Sequence, residues 1–236
     1  MASVFLASID VRIHPEARWE YPSWTHALGT DNLGRDVLGL TILGWRNSLI
    51  DAGIVAAGAV VVGLFLGLSS GYWSGSIGDS LLSGAAEFIN AVPGLLVLLV
   101  MIGLRIDLRV GFIALAWIEV WRIGRSATVV EFGAPYLCAA IALGASPSRI
   151  LFRYLLPAVG ARIREIIGYQ YIWILTLLSM SELFNVQLRI DRPTVGTLLN
   201  GAFRLSIEQY RLWLPSVLVL CLMNLAIQRR VVRSVR

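Results

Sequence analysis

Five apolar stretches constrain this chain more than anything else in it: Leu49–Leu68, Ala85–Leu104, Val110–Ile123, Ile166–Phe184 and Leu212–Ile227. A helix needs roughly 20 apolar residues to cross the hydrocarbon of a bilayer, and these segments reach or approach that length. Lipid offers the backbone no hydrogen-bond partners, so segments of this kind fold as helices that satisfy themselves. The expected class is therefore an all-α polytopic membrane protein with five complete transmembrane helices. Of 236 residues, 57% are hydrophobic and only 15% charged, against about 25% charged in a soluble domain. The net charge of +5 comes entirely from arginine. That sign suits anionic lipid and an acidic partner, while the apolar background argues against nucleic acid.

The charged residues set the orientation. Arg122, Arg125, Arg149, Arg153, Arg162, Arg164, Arg229, Arg230, Arg233 and Arg236 gather at one set of span ends, which places that side in the cytosol. Arg189, Arg192, Arg204 and Arg211 lie opposite, partly balanced by Asp191 and Glu208. Residues 1–46 then form an N-terminal stub and extracytoplasmic segment. Residues 47–236 form the transmembrane domain, with a cytoplasmic segment at 131–160. Gly53, Gly58, Gly63 and Gly67 suit close helix contact in the first span. Gly71–Ser80 reads as a flexible turn with Tyr72 and Trp73 at an interface. Pro93-Gly94 predicts a kink within the second span, and Arg105–Arg109 a tight hairpin. Glu87 sits at the inner end of the second span. Glu119 lies one turn before Arg122, and a carboxylate at that depth is costly unless paired or water-facing. Glu87, Glu119 and Arg122 are thus candidates for an ion pair or a translocation path, against the simpler reading of a snorkelling or frayed inner end.

Between the two apolar halves lies Leu137–Pro157, LCAAIALGASPSRILFRYLLP. Ser146 is placed to cap a helix and Pro147 to occupy its first position, where the missing N–H costs nothing. A turn at Leu143-Gly144-Ala145 separates an Ala-rich helix from an Arg-bearing one. Ile150, Leu151, Tyr154 and Leu155 form one face of the second helix, while Arg149 and Arg153 share another. Pro157 marks an expected boundary with the next apolar segment. Nearer the N-terminus, Leu28–Gly39 reads LGTDNLGRDVLG. Gly29, Thr30, Asp31, Gly34, Arg35 and Asp36 predict a tight, ion-paired turn with Asp36 capping the helix that follows. It lacks the glycine-rich run ending in Gly-Lys-Ser/Thr of a phosphate-binding loop. Cys138 and Cys221 make no disulfide framework, and His14 and His26 lack metal-site spacing. No catalytic or metal-binding constellation is evident, so an enzyme is not expected.

The 137–157 stretch resembles the cytoplasmic coupling motif of permease subunits in bacterial ABC importers: Glu-Ala-Ala, three residues, Gly, nine residues, Ile, any residue, Leu-Pro. Ala139, Ala140, Gly144, Leu156 and Pro157 stand in register, while Cys138 takes the Glu place and Tyr154 the Ile place. The surrounding sequence and LGTDNLGRDVLG are similar to the peptide, opine and nickel permeases. Of that family's Leu-Gly-Leu-Gly-like run and later Trp-Gly pair, only Gly196 remains clear.

The resemblance implies a type I importer-permease (MetI-like) fold and a mechanical role. Cys138, Ala139, Ala140, Gly144, Ala145, Ser146, Arg149, Arg153, Leu156 and Pro157 would dock on a separate ATPase. It also implies a second permease subunit, two ATP-binding subunits that hold the ATP and Mg, an external solute-binding protein, and no cofactor on this chain. Peptides are the default solute, with nickel or a metal-opine as the alternative within transport; a noncatalytic membrane scaffold is the alternative outside it. The family has six spans, so Met1–Ile9 is expected to be the outer stub of a first helix, left either by a true shortening or, the favoured reading, by a start codon placed too far downstream.

Overall fold

The computed structural model describes residues 13–186, 188, 192–205 and the scattered positions 214, 217, 218, 221, 222, 225 and 229. After a 3-10 turn at Pro15–Ala17 the described residues form α1 (Val37–Tyr72), α2 (Ile77–Ala91), α3 (Gly94–Gly103), α4 (Leu108–Phe132) and α5 (Pro135–Ala142). These are followed by α6 (Pro147–Leu183) and α7 (Val195–Leu205). They fall into two compact units, one drawn from Met1–Ala52 and Leu175–Ala226, the other from Gly53–Ile174 and Ile227–Arg236.

Local chemistry explains most boundaries. Ser76 Oγ accepts from Asp79 N at 3.2 Å and starts α2; Asp107 Oδ1 accepts from Arg109 N at 2.8 Å and starts α4. Pro135 opens α5 and Pro147 opens α6, each at a position that needs no N–H. The turn predicted at Gly71–Ser80 shrinks to the four residues between α1 and α2.

The second unit is organised around α4. One apolar cluster joins Leu68 of α1, Val120 and Ala127 of α4, Leu137 of α5, and Ile150, Leu155, Val159 and Ile163 of α6. Another joins Ala86 of α2 to Trp117, Ile118 and Trp121. Helix α1 approaches α4 so closely that a Cβ on Gly63 would lie 2.7 Å from Trp117 O, and one on Gly71 would lie 2.5 Å from Thr128 Cβ. Gly53, grouped with Gly63 by spacing, has no neighbour within 4 Å of its Cβ position among the described residues. Two polar bonds cross the same contacts, Trp121 Nε1 to Ser70 Oγ at 2.9 Å and Gln170 Nε2 to Ala116 O at 2.7 Å. Large apolar side chains such as Ile54, Val61 and Phe65 remain exposed along α1, a surface suited to lipid.

The expectation of five complete spans, and with it the MetI-like count of five plus a truncated first helix, is overturned. Among the described residues two helices, α1 and α6, are long and apolar enough to cross a membrane, or three if Ile77–Ala91 and Leu96–Gly103 form one broken span. The expected span at Ala85–Leu104 is not a kinked helix, because the pair bends by 98°. Pro93 supplies the reason: it lacks an N–H and pushes the preceding residue out of the helical region, and Val92 is extended at φ −86°, ψ 130°. The stretch Val110–Ile123 lies within α4, where Arg109, Glu119, Arg122, Arg125 and Glu131 make the helix too charged to count. Leu49–Leu68 and most of Ile166–Phe184 lie inside α1 and α6. Leu212–Ile227 falls largely, and Met1–Ile9 wholly, outside the described residues.

Pro157 is a further correction. The chain does not leave the helix there; α6 continues to Leu183. Immediately before the proline, Ile150–Leu155 is π-helical and Leu156 N bonds to Leu151 O, five residues back. The widened turn shifts the hydrogen-bond register just where an ordinary helix would set the proline ring against a carbonyl.

Candidate functional site

The segment 137–157 folds as a compact helix-turn-helix. Helix α5 ends with Gly144 N bonding to Ile141 O at 2.9 Å and Ala145 N to Ala140 O at 3.0 Å, the paired bonds of a Schellman turn. That turn requires the left-handed backbone of Gly144, φ +77°. Among the described residues nothing lies within 4 Å of where its Cβ would be, so the conformation, not crowding, calls for glycine. Ser146 Oγ then accepts from Arg149 N at 3.4 Å at the start of α6.

Burial divides the segment. Leu137, Ala140, Ile150 and Leu155 are buried, with Leu151, Tyr154 and Leu156 packed against the same cluster. Cys138, Ala139, Gly144, Ser146, Arg149, Arg153 and Pro157 are exposed, and Ala145 is half-buried. Exposed with them are Leu143 at 88% and Phe152 at 66%, apolar side chains that the motif comparison did not single out. The outer surface therefore mixes two arginines with large apolar groups. Cys138 Sγ lies 3.6 Å from Phe132 O, to which it donates. Glu131 accepts a bond from the Tyr136 hydroxyl, which holds that phenol above its usual pKa. Beside the segment, α1 and α6 enclose an apolar cavity of about 480 Å³ lined by Phe65, Leu68, Trp73, Leu151, Phe152 and Leu156, among others.

The turn ahead of α1 belongs to the first unit. Asp31 is buried, and its Oδ1 accepts from Leu33 N at 2.8 Å and Arg35 N at 2.9 Å. Arg35 Nε and Nη2 both reach Asp31 Oδ2, at 2.8 and 2.7 Å. Asp36 Oδ1 accepts from Gly39 N at 2.9 Å, capping α1, while Oδ2 lies 3.0 Å from His26 Nδ1. Thr30 Oγ1 accepts from Glu20 N at 2.9 Å and donates to Ala17 O, drawing the upstream chain onto the turn. Gly29 and Gly34 have positive φ, and a Cβ on Gly34 would sit 1.8 Å from His14 O.

Of the remaining candidates, Glu119 and Arg122 are brought together and Glu87 stands apart. Glu119 and Arg122 pair on α4, Oε1 to Nη1 at 2.9 Å, with both side chains about half exposed. Glu87 is exposed on α2. Two tertiary arrangements were not anticipated. Asp79 and Arg125, 46 positions apart, form a bidentate ion pair at 2.7 and 2.6 Å, with the Asp79 side chain only 4% exposed. Glu182, 3% exposed, accepts from Thr194 Oγ1 at 2.7 Å and Gly196 N at 3.2 Å. The single hint of the first was an acid standing alone in the otherwise uncharged turn-and-helix stretch Gly71–Ala86.

Comparison with known proteins places this architecture. The chain is 26% identical over 189 residues to the oligopeptide transport system permease protein OppC of Lactococcus lactis subsp. lactis (strain IL1403), and equally to that of subsp. cremoris (strain SK11). Each alignment covers 77% of this chain but 64% of the relative, so the chain spans less than two thirds of their length. Its fold matches a chain of a crystal structure of an amino acid ABC transporter with histidines. The TM-score is 0.60 at 16% identity, covering 82% of this chain and 92% of that one. Residues 59–236 match the model of the binding-protein-dependent transport system inner membrane component. That family is one of transport-system membrane components rather than enzymes, and this chain belongs to it.

Proposed function

We propose that this chain is a permease subunit of an ATP-driven importer, lining half of a path for peptides or related small solutes and coupled through residues 137–157 to a separate ATPase. The observation that carries this reading is the helix-turn-helix whose inner face is locked into the α4 core while Leu143, Arg149, Phe152 and Arg153 face outward. Apolar anchors beside cations are the composition of a protein-docking surface. Movement of such a surface by a partner would pass into α4 and α6 through their shared core. The reading also includes a second permease subunit, two ATPase subunits carrying ATP and Mg, and an external solute-binding protein. Residues 1–46 would face outward, and 47–236 would form the multi-pass inner-membrane domain with its cytoplasmic segment at 131–160. The peptide assignment is supported by the oligopeptide permeases among its relatives.

Gly144→Val tests it. A β-branched residue in the left-handed region costs about 1–2 kcal/mol and opens the Schellman turn. The variant is expected to insert into membranes at wild-type level but to lose most co-purification with the ATPase subunits in detergent. Undiminished co-purification would sink the coupling assignment.

A further inference from the structure

The first turn of α2 and the C-terminal half of α4 are joined by an ion pair as well as by apolar packing. The two helices already share an apolar seam of Ala86, Trp117, Ile118 and Trp121. At its inner end Arg125 Nε donates to Asp79 Oδ1 at 2.7 Å and Arg125 Nη2 to Asp79 Oδ2 at 2.6 Å. Gly75 N adds a third bond to Oδ2 at 3.0 Å, and Ser76 Oγ holds the Asp79 amide at 3.2 Å. An apolar seam tolerates sliding; a bidentate guanidinium–carboxylate pair fixes both distance and angle. The pair therefore sets the register of α2 against α4 and anchors the turn between α1 and α2 to the same point.

What lies at each end gives the pair its role. Arg125 precedes the end of α4 by two turns, in the stretch whose Ala127 packs with Leu137 of α5 and Ile150 and Leu155 of α6. Helix α4, α5 and the start of α6 thus share one packed core. Asp79 stands in the first turn of α2, which leads into the break at Val92-Pro93 and on to α3. A bent, proline-broken helix pair is the element best able to repack when its inner end is moved. Resting on the coupling reading above, we propose that Asp79 and Arg125 are positioning residues forming a tie that carries displacement of the 137–157 segment from α4 into the broken pair α2–α3.

Hydrogen exchange on the assembled transporter with its ATPase subunits tests this without knowledge of the solute. In the wild type, ATP plus orthovanadate is expected to alter exchange both in 137–157 and in 91–104. In Asp79→Asn and Arg125→Gln the change in 137–157 should persist, while that in 91–104 falls at least tenfold. Arg125→Lys, which keeps the charge but not the two-pronged geometry, should give a partial loss. The double variant should be no worse than either single one. An undiminished nucleotide response at 91–104 in the variants would overturn the tie and leave the coupling reading intact. Failure of all three single variants to assemble with the ATPases would overturn it in favour of a purely structural pin. A wild-type complex with no response in 137–157 would overturn the coupling reading, and the tie with it.

Discussion

At the scale of single residues, two buried carboxylates among the described residues, Asp31 and Asp79, are each compensated by a guanidinium. Asp31 is held by two backbone amides and the Arg35 guanidinium, so its carboxylate is satisfied although the residue is only 6% exposed. Asp31→Ala is expected to strand those donors and cost on the order of 1–3 kcal/mol, read as an earlier thermal unfolding midpoint in detergent. A midpoint equal to wild type would show that the turn carries no load. Asp79 is more deeply committed, because removing Arg125 leaves a nearly buried carboxylate without its ion partner, a change typically worth about 3–5 kcal/mol. Asp31 and Asp36 were legible because an acid two to four residues before its partners makes a local pattern. Asp79 was not, because its partner is 46 residues away and nothing in either neighbourhood names the other.

At the scale of elements, caps and prolines decide where helices begin and end, and packing decides which of those signals wins. Ser76, Asp107 and Ser146 start helices by accepting from amides in the first turn. The two interior prolines behave differently. Pro93 breaks its helix pair, with Val92 extended and a 98° bend. Pro157 is absorbed, since the π-helical turn at Ile150–Leu155 precedes it and the core holds Leu155 and Val159 on either side. Restoring an N–H with Pro93→Ala is expected to let α2 and α3 approach one continuous helix. Amide exchange over residues 92–97 should then slow by at least tenfold, and unchanged exchange would show that tertiary packing imposes the bend. Spacing alone grouped Gly53 with Gly58, Gly63 and Gly67, yet Gly53 meets none of the described residues while Gly63 meets Trp117 O and Val120. Which glycine meets a neighbour depends on where α4 lies, and a helix's own sequence does not contain that.

At the scale of the molecule, the distribution of arginine predicts that the 137–157 segment faces the cytosol. Cys138 is exposed there and serves as a reporter. In a Cys221→Ser background, a membrane-impermeant maleimide is expected to label it at least tenfold faster in inside-out vesicles than in intact cells; the reverse ratio would invert the assigned orientation. The helical class, the capped turns and the helix-turn-helix geometry of 137–157 were readable from the residues in order, because each rests on hydrogen bonds and side-chain periodicity within a few residues. The span count was not, because apolar length says nothing of a helix bent at Pro93 or of charges accumulated along α4. By itself the sequence determined that the chain is helical and largely apolar and that residues 137–157 form a helix-turn-helix. Only the tertiary structure decided that Asp79 meets Arg125 and that Leu137, Ile150 and Leu155 share one core with α4. Such contacts join residues far apart in the chain, and packing in three dimensions creates them.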